Sequence, residues 1–266
     1  MDHPRRRVGL GTGLGLVVAA AALALGVGGD PSGWFRPRAY VEVEGRPVAV
    51  PEPAPADGRL LPPVPVTTSG AHAFLHTAPD GSPVGYDPCR PVRYVVNPAG
   101  MPDGGDALVA EAAAVVSAAS GLVVEYVGTT DEAPAVERPL IQPERYGHAW
   151  APVLVAWSDE EHLPELAGEV AGVGGSAAVP GADGRGRWLA AGRVVLDAAD
   201  IGAMLDRPDG AAHARAIAVH ELAHVLGLDH VDDQAELMYP VSAARQDLGP
   251  GDRQGLALVG QVACED

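Results

Sequence analysis

Near its C-terminal end the chain reads HELAHVLGLDH, from His220 to His230. His220 and His224 are four residues apart, so on a helix they project from one face, one turn from each other. Two imidazoles so placed can hold a single zinc ion at about 2.0–2.1 Å each. Glu221 follows the first of them and points off that face. It reaches a water on the ion rather than the ion itself, which is the place of a general base. His230 cannot serve from the same helix, since it would project roughly 120° away at the wrong height. Gly227 supplies the turn, because glycine takes the left-handed conformation without a Cβ penalty. His230 then folds back to close a three-histidine set. Three protein ligands leave one position for water, as in catalytic rather than structural zinc sites. An amphipathic helix with solvent-facing histidines is the plain alternative, and it gives no reason for Glu221 and Gly227 to stand where they do.

These residues need a scaffold. The run 210–227 has helical length and ends at glycine. Upstream, PVRYVVNP (91–98), LVVEYVG (122–128), PVLVAWS (152–158) and GRVVLD (192–197) read as strands rich in β-branched residues. GDALVAEAAAVVSAASG (105–121) has its apolar residues at helical spacing, and strand, helix, strand in that order predicts a parallel crossover. GGSAAVP (174–180) is short, small and proline-ended, as an edge strand is. A last helix is expected from about Pro250 to Val262, with proline in its first turn. The expected class is α/β (α+β): a twisted mixed sheet and about three helices.

HELAHVLGLDH followed by Leu237-Met238-Tyr239-Pro240 resembles the metzincin metallopeptidases, and within them the matrixins. The resemblance implies the metzincin fold, with the active-site helix followed by a Met-turn and with an antiparallel edge strand. It implies zinc on His220, His224 and His230, Glu221 as base and Met238 packed beneath the metal. It also implies that an edge strand at Gly175, Ser176, Ala177 and Ala178 takes substrate in an extended antiparallel pose. The implied activity is zinc-dependent hydrolysis of peptide bonds in extracellular proteins. An inactive zinc-holding adhesion module is the alternative, and Glu221 counts against it; a metal-free anchored scaffold is a third. The chain departs from the family where Pro240-Val241-Ser242 replaces the usual Pro-x-Tyr, so one wall of the substrate pocket differs. The family's zymogen motif, with its zinc-capping cysteine, is absent from residues 31–80.

Composition bounds the rest. The formal net charge is −17 and every basic residue is arginine, which argues against nucleic acid and anionic membrane surfaces as partners. Arg5, Arg6 and Arg7 precede an uncharged apolar run, Val8 to Gly29, so residues 1–30 read as a signal peptide or an N-terminal membrane anchor. The protein is therefore expected to be exported and to touch membrane only through this segment; a monomer is the expected state. Residues 31–70, with VPEPAPADGRLLPPVPV, read as an extended proline-rich linker, and residues 71–266 as the catalytic domain. In an exported chain two cysteines, Cys89 and Cys264, predict a disulfide, with a thiol switch at Cys89 as the lesser reading. Acidic loops around Asp183, Asp197 and Asp200 offer oxygen ligands of the kind calcium takes; solvated acids are the plain alternative. His148 and His162 read as surface residues, and His213 as structural. Asp229 reads either as a partner for an imidazole or as an exposed acid.

Overall fold

A five-stranded sheet is built by β4 (Val92–Val96), β5 (Val124–Thr129), β6 (Val153–Ser158), β7 (Gly172–Pro180) and β8 (Arg187–Asp197), in the order β5-β4-β6-β8-β7. The first four run parallel, and β7 is antiparallel to β8 at the open edge. The computed structural model describes residues 38–240 and 245–265. The signal or anchor expected at 1–30, the start of the linker, and Val241 and Ser242 lie outside the described residues. Among those described, no helix is long and apolar enough to cross a membrane.

Strand β6 is buried over Val153–Trp157, which is why it reads as a continuous apolar run rather than an alternation. Helices α1 (Gly105–Ser120), α4 (Ala211–Leu226) and α5 (Pro250–Val259) lie on one face. Val109, Val116, Leu222, Leu226 and Leu256 form the main core there with Val92, Val155, Val194 and Leu196 of the sheet. On the other face Val195 packs with Leu163 and Leu166. The mixed sheet with an antiparallel edge strand matches the expected class.

The count of about three helices needs correction. Two more exist, α2 (Pro143–Tyr146) and α3 (Ala198–Leu205), besides a 3-10 turn at Pro164–Leu166. Helix α3 starts directly at the end of β8. Its N-cap is Asp197, whose carboxylate accepts from the Asp200 amide at 2.9 Å. The D-x-x-D spacing that was read as an acidic loop is therefore a helix start.

The stretch expected as a linker also differs. β1 (Tyr40–Val43) and β2 (Arg46–Ala49) pair as a hairpin across Glu44 and Gly45, both left-handed at φ 50° and 74°. The alternation in YVEVEGRPVAV carries this hairpin, and proline content concealed it. Beyond it Val50 is fully buried, Arg59 donates to the Gly260 carbonyl at 2.6 Å, and Gln261 donates to the Val64 carbonyl at 2.8 Å. From Arg38 onward the chain packs as one compact unit. β3 (Ala73–Phe74) pairs antiparallel with β9 (Leu228–Asp229), laying this segment beside the turn that carries His230. Cys89 and Cys264 are bonded, with their Cα atoms 5.6 Å apart.

Candidate metal centre

Helix α4 presents His220 and His224 to a cleft of about 490 Å³, and the turn after it brings His230 to the same point. The turn works as its sequence requires. Gly227 sits at φ 112° and donates its amide to the His224 carbonyl at 3.0 Å. A Cβ there would stand 3.0 Å from the Val84 carbonyl oxygen. Asp229 does not orient an imidazole. It accepts from the His230 backbone amide at 2.7 Å and so fixes the turn.

The Nε2 atoms of the three histidines lie 3.1 Å from one another. His220 Nδ1 is 2.7 Å from the Leu237 carbonyl oxygen, and His224 Nδ1 is 2.8 Å from that of Leu228. A carbonyl only accepts, so each Nδ1 carries the proton and each of these Nε2 atoms presents a bare lone pair. Lone pairs aimed at one point with no hydrogen between them repel unless a cation lies there. Burial pushes His220 down to about 3 and His224 down to about 4, and burial also lowers His230. All three are therefore neutral at pH 7, the form that ligates. The donor set fits zinc on its own chemistry: three imidazoles and, among the described residues, no further protein ligand.

Glu221 is buried beside the ligands. Burial pushes its carboxyl up to about 8, and among the described residues it has no hydrogen-bond partner within the protein. The edge strand explains how it is held. A Cβ on Gly174 would lie 2.2 Å from the Glu221 carbonyl oxygen, and one on Gly172 would lie 2.9 Å from Glu221 Cγ. Strand β7 thus rests directly on α4 because these two positions have no side chains. The Asp197 amide donates to the Ala171 carbonyl at 2.9 Å. In an antiparallel ladder this turns the backbone groups of Gly172 and Gly174 toward the open edge.

Val170 to Gly174 line the cleft, whereas Gly175, Ser176, Ala177 and Ala178 continue the strand beyond it. Ser176 faces inward. Its hydroxyl donates to the Val225 carbonyl at 2.9 Å and is 2.8 Å from the Tyr86 hydroxyl. His213 lines the cleft one helical face along from His220. His148 is exposed, and so is His162, which is hydrogen-bonded to Asp159. Among the described residues Asp183, Asp197 and Asp200 join no converging group of metal-binding side chains. A larger cavity of about 750 Å³ lies under the segment Pro51–Leu60 and holds none of the three histidines.

Met238 is buried in the turn after α4, and two acids missed in the sequence hold that turn. Asp252, in the first turn of α5, accepts from the amides of Leu237 at 2.6 Å, Met238 at 3.2 Å and Gly249 at 2.7 Å. Burial raises its carboxyl in spite of these bonds. Glu236 accepts from the amides of Gly251 and Asp252 at 2.9 and 3.1 Å, at the positive end of the α5 dipole. The signal for Asp252 was present in Gly249-Pro250-Gly251-Asp252, a helix start with an acid at its third position. Nothing local marks Glu236.

The sequence model of the family described as Matrixin (Peptidase M10) matches residues 148–258. The match runs from before β6 into α5 and includes all three histidines, Glu221 and Met238. Over that stretch the chain is similar to the matrixins. No curated protein matches it.

Proposed function

We propose that this chain is a zinc-dependent endopeptidase that hydrolyses peptide bonds of extracellular proteins, with its zinc held by His220, His224 and His230. The observation that carries the reading is the pairing of three converging imidazole nitrogens with an unpartnered carboxylate, Glu221, in the same cleft. When bound, zinc lowers the pKa of a water towards 7 and polarises the carbonyl to be cut. The chain's own residues supply the rest. Burial alone would keep Glu221 protonated near pH 7, and a cation held by the three histidines would draw it back to the carboxylate, the form that takes a proton from the attacking water and delivers it to the leaving amine. Among the described residues no side chain or amide occupies its carboxylate, which leaves both oxygens available for that transfer. Leu237 and Leu228 hold the first two imidazoles in one tautomer through their carbonyls. Gly172 and Gly174 offer backbone groups to an extended peptide that adds to β7. Met238 forms the floor of the site, and Gly175 to Ala178 continue the surface on which the peptide lies.

The disulfide between Cys89 and Cys264 supports action in an oxidising compartment, as does the leader read at residues 1–30. The catalytic domain at 71–266, expected to be a monomer, then carries the segment from Arg38 packed onto it. Calcium at the acidic loops has weaker support, since Asp197 is occupied as a helix cap.

The test is Glu221→Ala. The variant is expected to bind one equivalent of zinc by elemental analysis and to lose at least about 100-fold in cleavage of a peptide library, the range of a general base. Chelation should abolish wild-type cleavage, and zinc should restore it. Cleavage by Glu221→Ala at the wild-type rate would refute the reading. Zinc binding without any wild-type cleavage would favour an inactive binding module.

A further inference from the structure

One wall of the cleft carries a charge that the chemistry above does not use. Helix α4 contributes Ala216 and Ile217, a turn before His220, and the segment after the Met-turn contributes Leu237, Tyr239 and Arg245. Arg245 is half-buried. Its Nε donates to the Asp247 carbonyl at 2.9 Å, and among the described residues no carboxylate pairs with it. Its neighbourhood is fixed to the catalytic helix, because Arg215 of α4 donates to the Asp247 side chain at 3.2 Å. The guanidinium is thus held at the cleft wall with donors to spare.

Three acids of the same cleft are committed elsewhere. Glu165 is paired with Arg193 at 2.5 Å, Asp229 holds the His230 amide, and Glu236 holds the start of α5. Glu221 faces the metal point. Glu169 lies on the β7 side. Arg245 is therefore the one guanidinium lining the cleft among the described residues, on an otherwise largely apolar wall, where a planar fork pairs best with a carboxylate. A peptide added antiparallel to β7 runs against the strand's direction. Residues after the cut bond then lie toward the start of β7, where Val170 to Gly174 border this wall. Ala216 adds no more than a methyl group to this wall.

We infer that Arg245 determines specificity, selecting peptides with an acidic side chain immediately after the bond that is cut. The inference rests on the peptidase reading and deepens it. Its test reads binding and cleavage separately. Capped eight-residue peptides of Ala, Gly and Pro, differing only by Glu, Gln or Lys at one position, are bound to zinc-loaded Glu221→Ala protein and followed by fluorescence anisotropy. The same peptides are offered to the active protein and the cuts located by mass spectrometry. The Glu peptide should bind about tenfold more tightly than the Gln peptide, the scale of one charge-assisted contact at a part-exposed site. The cut should fall on the amino side of Glu. Arg245→Gln should erase the difference, and Arg245→Glu should transfer the preference to Lys, which also shows that the variant site is intact. Equal binding of Glu and Gln peptides, or a Glu preference that survives Arg245→Gln, overturns the inference. So does an Arg245-dependent gain that follows a free C-terminal carboxylate rather than the Glu side chain. If the active protein cuts nothing while the Arg245-dependent binding preference persists, the peptidase reading fails and the assignment of Arg245 stands.

Discussion

Gly174 and Gly175 are neighbours on one strand with opposite surroundings. A Cβ on Gly174 would meet the Glu221 carbonyl oxygen at 2.2 Å and Glu221 Cα at 3.0 Å, whereas one on Gly175 would meet nothing within 4 Å. Backbone on both sides cannot swing away as a flexible side chain does. Gly174→Ala should therefore lift β7 off α4, lower stability by about 1–3 kcal/mol as overpacking does, and reduce cleavage by displacing Glu221. Gly175→Ala should leave the unfolding free energy measured in urea within about 0.5 kcal/mol of wild type, as surface substitutions do. Equal losses in the two variants would show that β7 does not rest on α4 in this register. At this scale the site was legible where its logic is local. Four-residue spacing, a glycine after the helix and a third histidine are all read within eleven letters. Gly174 was legible only as a small residue on an edge strand and Gly172 lay outside the expected strand, because their reason is a helix some fifty residues away in sequence.

Elements pose a different problem, since what fixes each of them is often one buried charge from elsewhere. Asp252 of α5 holds the Met-turn by three amides, and the Leu237 carbonyl in that turn orients His220. Asp252→Asn keeps the volume but turns one acceptor oxygen into a donor facing amide hydrogens. The variant is expected to stay folded and to bind zinc about 10–100-fold more weakly, the usual effect of losing a partner behind a ligand. Competition with a chromophoric chelator measures it, and unchanged zinc affinity would detach α5 from the metal site. A second buried charge serves the sheet. Between Gly175 and Ala177 the pairing of β7 with β8 slips, and Ala191 takes φ 51°. Arg138 donates to the exposed carbonyls of that bulge, Ala191 at 3.2 Å and Gly192 at 3.0 Å, while forking onto Glu132 at 2.7 and 2.9 Å. Burial pushes the Glu132 carboxyl up, but bonds from Arg138, Gln142 and Tyr146 outweigh it, so its net shift is downward. A carboxyl lowered on folding stabilises the protein above its unfolded value of 4.5, and that stability is lost as pH falls through the folded value. Arg138→Met should cost about 3–5 kcal/mol at pH 7 by stranding Glu132, and much less near pH 3. Urea midpoints at the two pH values decide this; a pH-independent loss would mean that Arg138 acts through packing alone. Neither Glu132 nor Arg138 had a sequence signature, because the fold alone brings the pair together and creates the carbonyls that Arg138 binds. Helix α3 differs: the Asp197–Asp200 cap was in the sequence, and its two charges hid it.

For the whole molecule the main surprise is the stretch that composition marked as a linker. Prolines in Pro51–Pro65 prevent helix and sheet ladders, but they do not prevent an extended chain from lying along a surface. This one does, and its anchors lie mostly at the far end of the sequence. Arg59 reaches the Gly260 carbonyl, Val64 receives Gln261, and Arg90 donates to the Ala54 carbonyl at 2.6 Å and to that of Glu265 at 3.0 Å. The disulfide closes at the same place, tying Cys89 to Cys264 across 175 positions. It was predictable from compartment and cysteine count; that it clamps the strap and the C-terminal segment together was not. A loop of that length restricts the unfolded chain by about 5 kcal/mol in the chain-entropy model, and measured values commonly fall to about 2–5 kcal/mol. The metal ligands are distant in sequence from both cysteines and are held by α4, its glycine turn and Asp252. Replacing both cysteines, Cys89→Ser with Cys264→Ser, should therefore lower Tm by about 5–15 °C for a domain of this size while the folded variant keeps its zinc affinity. The Arg59–Gly260 contact should loosen with it, so that limited proteolysis first cuts within Pro51–Val66 in the variant and not in the wild type. Calorimetry, chelator competition and mapped cleavage products read these three outcomes separately. A zinc affinity that fell in step with Tm would mean that the terminal clamp and the metal site unfold as one unit, whereas a Tm drop with zinc affinity intact places the clamp outside it.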